Sequence, residues 1–241
     1  MKQRTVPRPF NAVSLRVFAL VFMALDHMWG TVIAGNMWMH LLGRLAFPIF
    51  AFQIAEGYYH TKNVRNYALR LLIFGVLSEI PFNLMLTGSW FFPFHQNVMF
   101  TLLLGLLALQ KADRARQAAT VRQRILAGAA AVGLALLADV FLVDYGSIGV
   151  LTILVFGLFR NFRGARLCQL AGMVVLHILL MKGLTLNFGP ISFPAQGLAV
   201  GALALIWLYN GQQGPRSRGL QIFFYLFYPL HMLLLFSFSL F

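Results

Sequence analysis

The chain has 241 residues, of which 60% are hydrophobic and only 10% are charged, and its formal net charge is +13. Soluble domains have about 45–50% apolar and about 25% charged residues, so this composition excludes a soluble globule, a disordered chain and a coiled coil. The one cysteine, Cys168, excludes a disulfide within the chain and a cysteine-based metal site. Since a membrane crossing takes about 20 residues, the sequence predicts a polytopic membrane protein without a sizeable soluble domain.

Apolar runs recur along the whole chain and are separated by short joints that contain basic residues, glycine or proline. We predict an all-α fold of about nine transmembrane helices in a single integral membrane domain, residues 1–241. The longest polar joint runs from Lys111 to Arg124. The predicted helices are 13–34, 38–58, 67–87, 96–110, 122–142, 146–160, 166–182, 193–210 and 219–241.

The basic residues follow the alternation of these helices. With the N-terminus in the cytoplasm, all of the 19 Lys and Arg residues except Arg44 and Lys182 fall on the cytoplasmic side, which satisfies the positive-inside rule. The pattern predicts an odd number of crossings, with Phe241 outside, and makes nucleic acid a poor partner for the positive charge. The basic residues placed inside are Lys2, Arg4, Arg8, Arg16, Lys62, Arg65, Arg70, the joint 111–124, Arg160, Arg163, Arg166, Arg216 and Arg218.

Polar side chains inside the predicted helices are the main functional signal. A charge at the bilayer centre costs about 2.5–3.5 kcal/mol, yet of the six acidic residues only Asp113 falls in an ordinary loop. The topology predicts a polar cavity in the outer half of the bundle, in which Asp26 pairs with Arg44. Glu56 and His60 share a helix face at the cytoplasmic end. The other polar residues are His27, Glu79, Asn83, His95, Asn97, Asp139, Asp144, His177 and His231.

The spacing of Arg16 and His27 indicates a long ligand. Eleven residues return a helix almost to the same face, about 16 Å deeper. Arg16 lies at the cytoplasmic headgroup level and His27 lies deep, so an anionic head and a reactive tip could be held at once. A nucleotide-tailed thioester has that shape, and a neutral imidazole is the usual general base.

Structural explanations exist for the same residues. An arginine at the start of a first helix is usually a topology anchor, and a single histidine in the membrane can bridge helices by hydrogen bonds. The Asp26 and Arg44 pair can be structural. Glu56 with His60 can be an interfacial cap.

Several long strings resemble the TraX family of conjugal transfer proteins. They are LDHM at 25–28, GRLAFPIFAFQIAEGYYHTKN at 43–63, RLLIFGVLSEIPFNL at 70–84, NVMFTLLLGLLAL at 97–109, DYGSIGVL at 144–151 and FYLFYPLHML at 224–233. The resemblance covers nearly the whole chain, in order. It implies a membrane protein related to one associated with N-terminal acetylation of pilin.

The family is similar in outline to the transmembrane acyltransferases of the acyltransferase-3 type. Those enzymes have an Arg and a His eleven positions apart in the first helix, which Arg16 and His27 match, and a Tyr-x-x-His pattern in the last, which Tyr228 and His231 resemble. The resemblance implies that His27 is catalytic and that Arg16 contacts coenzyme A.

The sequence therefore predicts a multi-pass acetyltransferase of the bacterial inner membrane. It uses cytoplasmic acetyl-CoA, needs no metal, and acts on a pilin, peptide, glycan or small molecule at the outer side. A proton-coupled transporter is the alternative, because intramembrane Asp, Glu and His also form proton relays; a non-catalytic assembly factor is the third. The predicted catalytic residues are His27, Glu79, Asp144 and His231; the acetyl-CoA contacts are Arg16, Arg44, Glu56, His60 and Tyr228; the acceptor contacts are Asp26, Asn83, His95, Asn97, Asp139 and Tyr145.

Overall fold

The computed structural model describes residues 8–160, 163–215 and 217–240. The predictions that place Lys2, Arg4 and Arg216 in the cytoplasm and Phe241 outside concern residues beyond these ranges.

Helices make up most of the described chain. A short antiparallel hairpin, β1 (Thr185–Phe188) with β2 (Ile191–Pro194), and a 3-10 helix, Ala195–Gly201, precede α9. The helices are α1 (Ala12–Thr31), α2 (Met37–Gly43), α3 (Ala46–His60), α4 (Val64–Thr87), α5 (Val98–Gln117), α6 (Val121–Val140), α7 (Gly146–Leu158), α8 (Ala165–Val174) continued by a π-helix (Val175–Leu180), α9 (Ala202–Ile206) and α10 (Arg218–Ser239).

Among the described residues, five helical stretches are long and apolar enough to cross a membrane: α1, α2 with α3, α4, α6 and α10. Their outer faces are apolar, as on α6, where Val132 and Val140 are 60% and 72% exposed. Such faces are unfavourable in water and suit lipid hydrocarbon. The prediction of a helical, multi-pass membrane protein is confirmed. Each of the nine predicted runs contains helix, but the count of nine crossings stays a prediction.

Side-chain caps explain where several helices begin. Asn11, Asn63, Asn97, Thr120 and Ser217 each precede a helix and accept a hydrogen bond from a backbone N–H in its first turn. These side chains satisfy donors that have no partner within the helix. The caps fix the starts of α1, α4, α5, α6 and α10.

The predicted helix 38–58 is interrupted, and the interruption positions a charged residue. α2 ends at Gly43 and α3 begins at Ala46, so Arg44 lies at the break. Pro48 has no N–H, and it therefore cannot donate to the carbonyl of Arg44 four residues earlier.

Two other boundaries differ from the prediction. The joint from Lys111 to Arg124 is mostly helical, because α5 continues to Gln117 through Lys, Ala, Arg and Gln residues that favour helix. Asp113 therefore lies in a helix and not in a loop, and it accepts a hydrogen bond from the Tyr58 hydroxyl at 3.0 Å. The β1–β2 hairpin was not predicted, because its few residues lie next to a long apolar run.

The packing of the helices creates a row of cavities beside α1. α1 packs on α2, α3 and α10, while α4 packs on α5 and α10. Small residues allow close approach elsewhere: a side chain at Gly105 of α5 would collide with Ile153 of α7. The cavities described below lie among α1, α3, α4, α5 and α10.

Candidate functional site

One stripe of α1 lines three neighbouring cavities. Arg16 borders the first, Arg16, Leu20 and Met23 border the second, and Met23 and His27 border the third. These residues are three or four positions apart, which places them on one face of the helix. Arg16 and His27 thus share a face of α1, as their spacing predicts, with a rise of about 16 Å between them. We call the three spaces the Arg16 cavity, the connecting cavity and the His27 cavity.

The Arg16 cavity has a volume of about 410 Å³. Arg16 Nε donates to Gln53 Oε1 at 3.1 Å, and Gln53 Nε2 donates to the Ala12 carbonyl at 2.9 Å. The guanidinium also lies 4.9 Å from the centroid of the Phe224 ring. The two terminal nitrogens of Arg16 make no hydrogen bond to the described residues, and a guanidinium can bind an anion through such nitrogens.

Glu56 and His60 also line the Arg16 cavity. Their predicted common face is confirmed, since His60 Nδ1 donates to the Glu56 carbonyl at 2.8 Å and lies 3.6 Å from its carboxylate. Arg160 forms two hydrogen bonds with the Glu56 carboxylate, at 2.5 and 3.1 Å. Because Arg160 neutralises Glu56, the positive charges of Arg16 and Lys62 set the character of the cavity.

The connecting cavity is narrower and mostly apolar, with a volume of about 140 Å³. The Ser78 hydroxyl is a polar exception: the residue is fully buried, borders this cavity and has no hydrogen-bond partner in the described part of the chain. Four residues border both the connecting cavity and the His27 cavity, so the two spaces share a wall. They are Met23, Phe50, Val98 and Tyr228.

The His27 cavity has a volume of about 260 Å³. It brings together residues from α1, α4, α10, the α2–α3 break and the two loops before α5 and α7. The predicted site residues that line it are Asp26, His27, Arg44, His95, Asp144, Tyr145 and Tyr228.

His27 is paired with His231 of α10. His27 Nδ1 lies 2.8 Å from His231 Nε2, and the two ring planes differ by only 6°. His231 Nδ1 lies 2.7 Å from the Phe227 carbonyl. Glu79 and Asp144, which were predicted to be catalytic, do not hydrogen-bond to His27, and the side-chain partner of His27 among the described residues is the imidazole of His231.

Arg44 and Asp26 form the expected ion pair. Arg44 Nη2 donates to Asp26 Oδ2, while His40 Nδ1 lies 2.8 Å from Asp26 Oδ1. Asp26 and Arg44 side chains are each only 17% exposed. Asp26 can come this close because Gly43, at the end of α2, has no side chain to obstruct it. Arg44 Nε is buried and has no partner among the described residues, so one N–H beside the His27 cavity remains available.

A directed chain of hydrogen bonds continues from Arg44 into the bundle. Arg44 Nη1 donates to Gln196 Oε1 at 3.1 Å, so the Gln196 amide nitrogen is the donor to His177 Nδ1 at 3.2 Å. His177 Nε2 then donates to Thr152 Oγ1 at 3.0 Å, and Thr152 donates to the Ile148 carbonyl. This chain gives the Arg44 guanidinium a second partner besides Asp26, on its Nη1 nitrogen.

His95 and Asp144 lie at the rim of the His27 cavity. His95 Nε2 is 3.5 Å from Asp144 Oδ1, and this contact with the carboxylate raises the pKa of His95 above its ordinary value. Tyr145 adopts φ +64, a conformation that is rare for residues other than glycine. Its ring lies on Phe47 with a centroid distance of 3.9 Å.

The remaining predicted site residues serve other contacts. The Asn97 amide donates to Glu79 Oε2 and to the Gly75 carbonyl, which links α5 to α4. Asn83 donates to the Trp90 carbonyl at 3.5 Å. Asp139 accepts from the Ser147 backbone N–H at 2.7 Å and so caps α7. None of these four residues lines the three cavities, and their roles in substrate binding or catalysis stay predictions.

Sequence reasoning missed His40, Gln53 and Gln196. These side chains hold Asp26, Arg16 and Arg44 in place. Each of these residues lies in or beside an apolar run. A neutral amide or a single histidine in such a run gives only a weak sequence signal of a functional role. Among the described residues, no three His, Cys, Asp or Glu side chains are grouped to hold a metal ion.

The fold and the cavities define a polytopic helical membrane protein with a row of three cavities beside its first helix, which has charged and polar residues at its two ends and mostly apolar ones between them. The chain belongs to the TraX family: the family model described as "TraX protein" matches residues 12–239. The "Probable fimbrial assembly protein FimC, serogroup H1" of Dichelobacter nodosus is 31% identical over 255 residues, covering 95% of each chain. No solved structure matches the chain significantly.

Proposed function

We propose that this protein is an acetyltransferase of the bacterial inner membrane that uses cytoplasmic acetyl-CoA. The observation that supports it best is the row of cavities along one face of α1, from Arg16 to His27. An anion-binding group, a narrow apolar passage and a basic imidazole follow one another in that order. Coenzyme A thioesters have the same order of parts: phosphates, a slender arm and a reactive carbonyl.

The donor end of the path suits a phosphorylated nucleotide. Arg16 offers two terminal nitrogens, and Gln53 and Phe224 restrict its motion. Lys62 and His60 border the same cavity and can add positive charge. Arginine binds phosphate by charge-assisted hydrogen bonds, which are roughly twice as strong as neutral ones.

The reaction at the other end follows from the groups around the His27 cavity. His27 Nε2 takes the proton of an acceptor amine or hydroxyl as the nucleophile bonds to the thioester carbonyl carbon. The resulting oxyanion needs donors, for which the Tyr145 hydroxyl and the Nε–H of Arg44, which has no partner within the described ranges, are candidates. The carbon–sulfur bond then breaks, and the coenzyme A sulfur takes the proton back from His27.

The acceptor in this proposal is a pilin N-terminus or another amine or hydroxyl at the outer side. Its support is the relative named as a fimbrial assembly protein, together with the cluster of polar residues around His27.

Acetyl transfer in proteoliposomes tests the proposal. Radiolabelled acetyl-CoA is supplied on one side, and a synthetic peptide with a pilin N-terminal sequence on the other. We expect the wild-type protein to label the peptide and His27→Ala to lose about 10²- to 10⁴-fold in rate. Val21→Ala, an exposed position on the same helix, is the control. Proton movement without acetyl transfer would instead support the transporter.

A further inference from the structure

We propose that His231 is the positioning residue for His27: it accepts the Nδ1–H of His27 and so keeps the reactive lone pair on Nε2. This inference rests on the proposed function for its kinetic consequences. Its structural content, the tautomer of His27, stands independently of any activity.

The hydrogen-bond partners determine the direction of each bond in the pair. The Phe227 carbonyl can only accept, so His231 Nδ1 carries a proton. The other nitrogen of a neutral His231, Nε2, is then an acceptor. Since His27 Nδ1 is 2.8 Å from that nitrogen, it must be the donor. The neutral His27 ring therefore has its proton on Nδ1 and a free lone pair on Nε2.

The Nε2 lone pair of His27 is available to a ligand in the His27 cavity. His27 borders the His27 cavity, whereas His231 does not, and none of the described residues hydrogen-bonds to His27 Nε2. His231 itself is held by ring contacts with Phe227 and Tyr228, whose centroids lie 5.0 and 5.8 Å away. Imidazoles without such a partner exchange between two tautomers, and only one of the two presents a base to the cavity.

The arrangement resembles the histidine–carboxylate pair of a catalytic triad, with the imidazole of His231 in place of the carboxylate. During transfer His27 Nε2 gains the acceptor proton and later returns it to the leaving sulfur. His231 keeps its own proton throughout, and its Nε2 stabilises the transient imidazolium by accepting a hydrogen bond. His231 touches neither substrate, so its effect passes entirely through His27.

Nitrogen NMR of the protein with ¹⁵N-labelled histidine tests the tautomer directly. We expect His27 to show a protonated Nδ1 and a bare Nε2 in the wild type, and a mixture of tautomers in His231→Leu. His231→Gln, which keeps an acceptor oxygen near the position of Nε2, is expected to restore the single tautomer. Assignment uses His27→Ala, and Leu234→Ala, an exposed position on α10, is the control. A wild-type His27 protonated on Nε2 would overturn the inference.

Kinetics provide the second readout. We expect His231→Leu to lower kcat by about 10²-fold or more, to change the KM for acetyl-CoA little, and to be partly rescued by Gln. The double variant His27→Ala/His231→Leu should be no slower than His27→Ala alone, because the two residues act as a unit. Additive losses would contradict the inference. Absence of acetyl transfer in the wild type would refute the proposed function. The NMR result would then decide whether His231 fixes the tautomer of His27.

Discussion

The buried pair of Asp26 and Arg44 gives a sharp test of how this membrane protein is stabilised. Asp26→Asn removes a negative charge and keeps the shape of the side chain. Among the described residues, Arg44 would then retain only the neutral Gln196 oxygen as a hydrogen-bond acceptor, and its Nε has no partner. His40 would also lose a charged acceptor.

The size of the effect follows from burial. Removing one member of a buried ion pair costs about 3–5 kcal/mol. Both side chains are 17% exposed and Asn still accepts a hydrogen bond, so we expect a loss of about 2–4 kcal/mol in the free energy of unfolding.

Reversible unfolding in mixed micelles measures this loss. Asp113→Asn is the matched control, because Asp113 accepts from the neutral donors Tyr58 and Gln117, and its loss should stay near 1 kcal/mol. The double variant Asp26→Asn/Arg44→Gln should recover part of the stability, since no uncompensated charge remains. Equal midpoints for wild type and Asp26→Asn would refute the reasoning.

Two further predictions concern the rim of the His27 cavity and the connecting cavity. The contact with Asp144 raises the pKa of His95, so the stabilisation from this pair is complete below the ordinary pKa of histidine and is lost as the pH rises through the raised value. Because both side chains are over 30% exposed, we expect the pair to contribute only a few tenths of a kcal/mol to the free energy of unfolding. Melting temperatures of the wild type and His95→Gln, compared from pH 5.5 to pH 9, measure this contribution, which the variant lacks. Equal pH dependence of the two proteins would contradict this role. Ser78→Met should fill part of the 140 Å³ connecting cavity and abolish acetyl transfer, while adenosine 3′,5′-bisphosphate still binds at Arg16. Val76→Met, on the exposed face of α4, is the control, and transfer at the wild-type rate by Ser78→Met would exclude this route.

Local sequence features predict the parts of the site that lie on a single helix. The face shared by Arg16 and His27 follows from helical periodicity alone, as does that of Glu56 and His60. The pairing of Asp26 with Arg44 follows from the cost of an isolated charge in the membrane.

The remaining contacts depend on packing between distant segments. His27 and His231 are 204 positions apart, and their hydrogen bond requires α1 and α10 to meet at one depth. Gln196 reaches Arg44 from a 3-10 helix that follows a hairpin, across 152 positions. The same packing decides that Asp139 caps α7 and that Asn97 joins α5 to α4. Periodicity gives a residue its helix face, but not its partner.

Binding of acetyl-CoA to the purified protein in lipid nanodiscs tests the central claim most directly. Titration calorimetry of the wild type, Arg16→Ala and Arg65→Ala compares the cavity arginine with an exposed one on α4. We predict saturable binding by the wild type and Arg65→Ala, and affinity about 10- to 100-fold lower in Arg16→Ala, the value expected for losing hydrogen bonds to a charged group. Folded wild-type protein that does not bind acetyl-CoA, or equal affinities in all three proteins, would contradict the account.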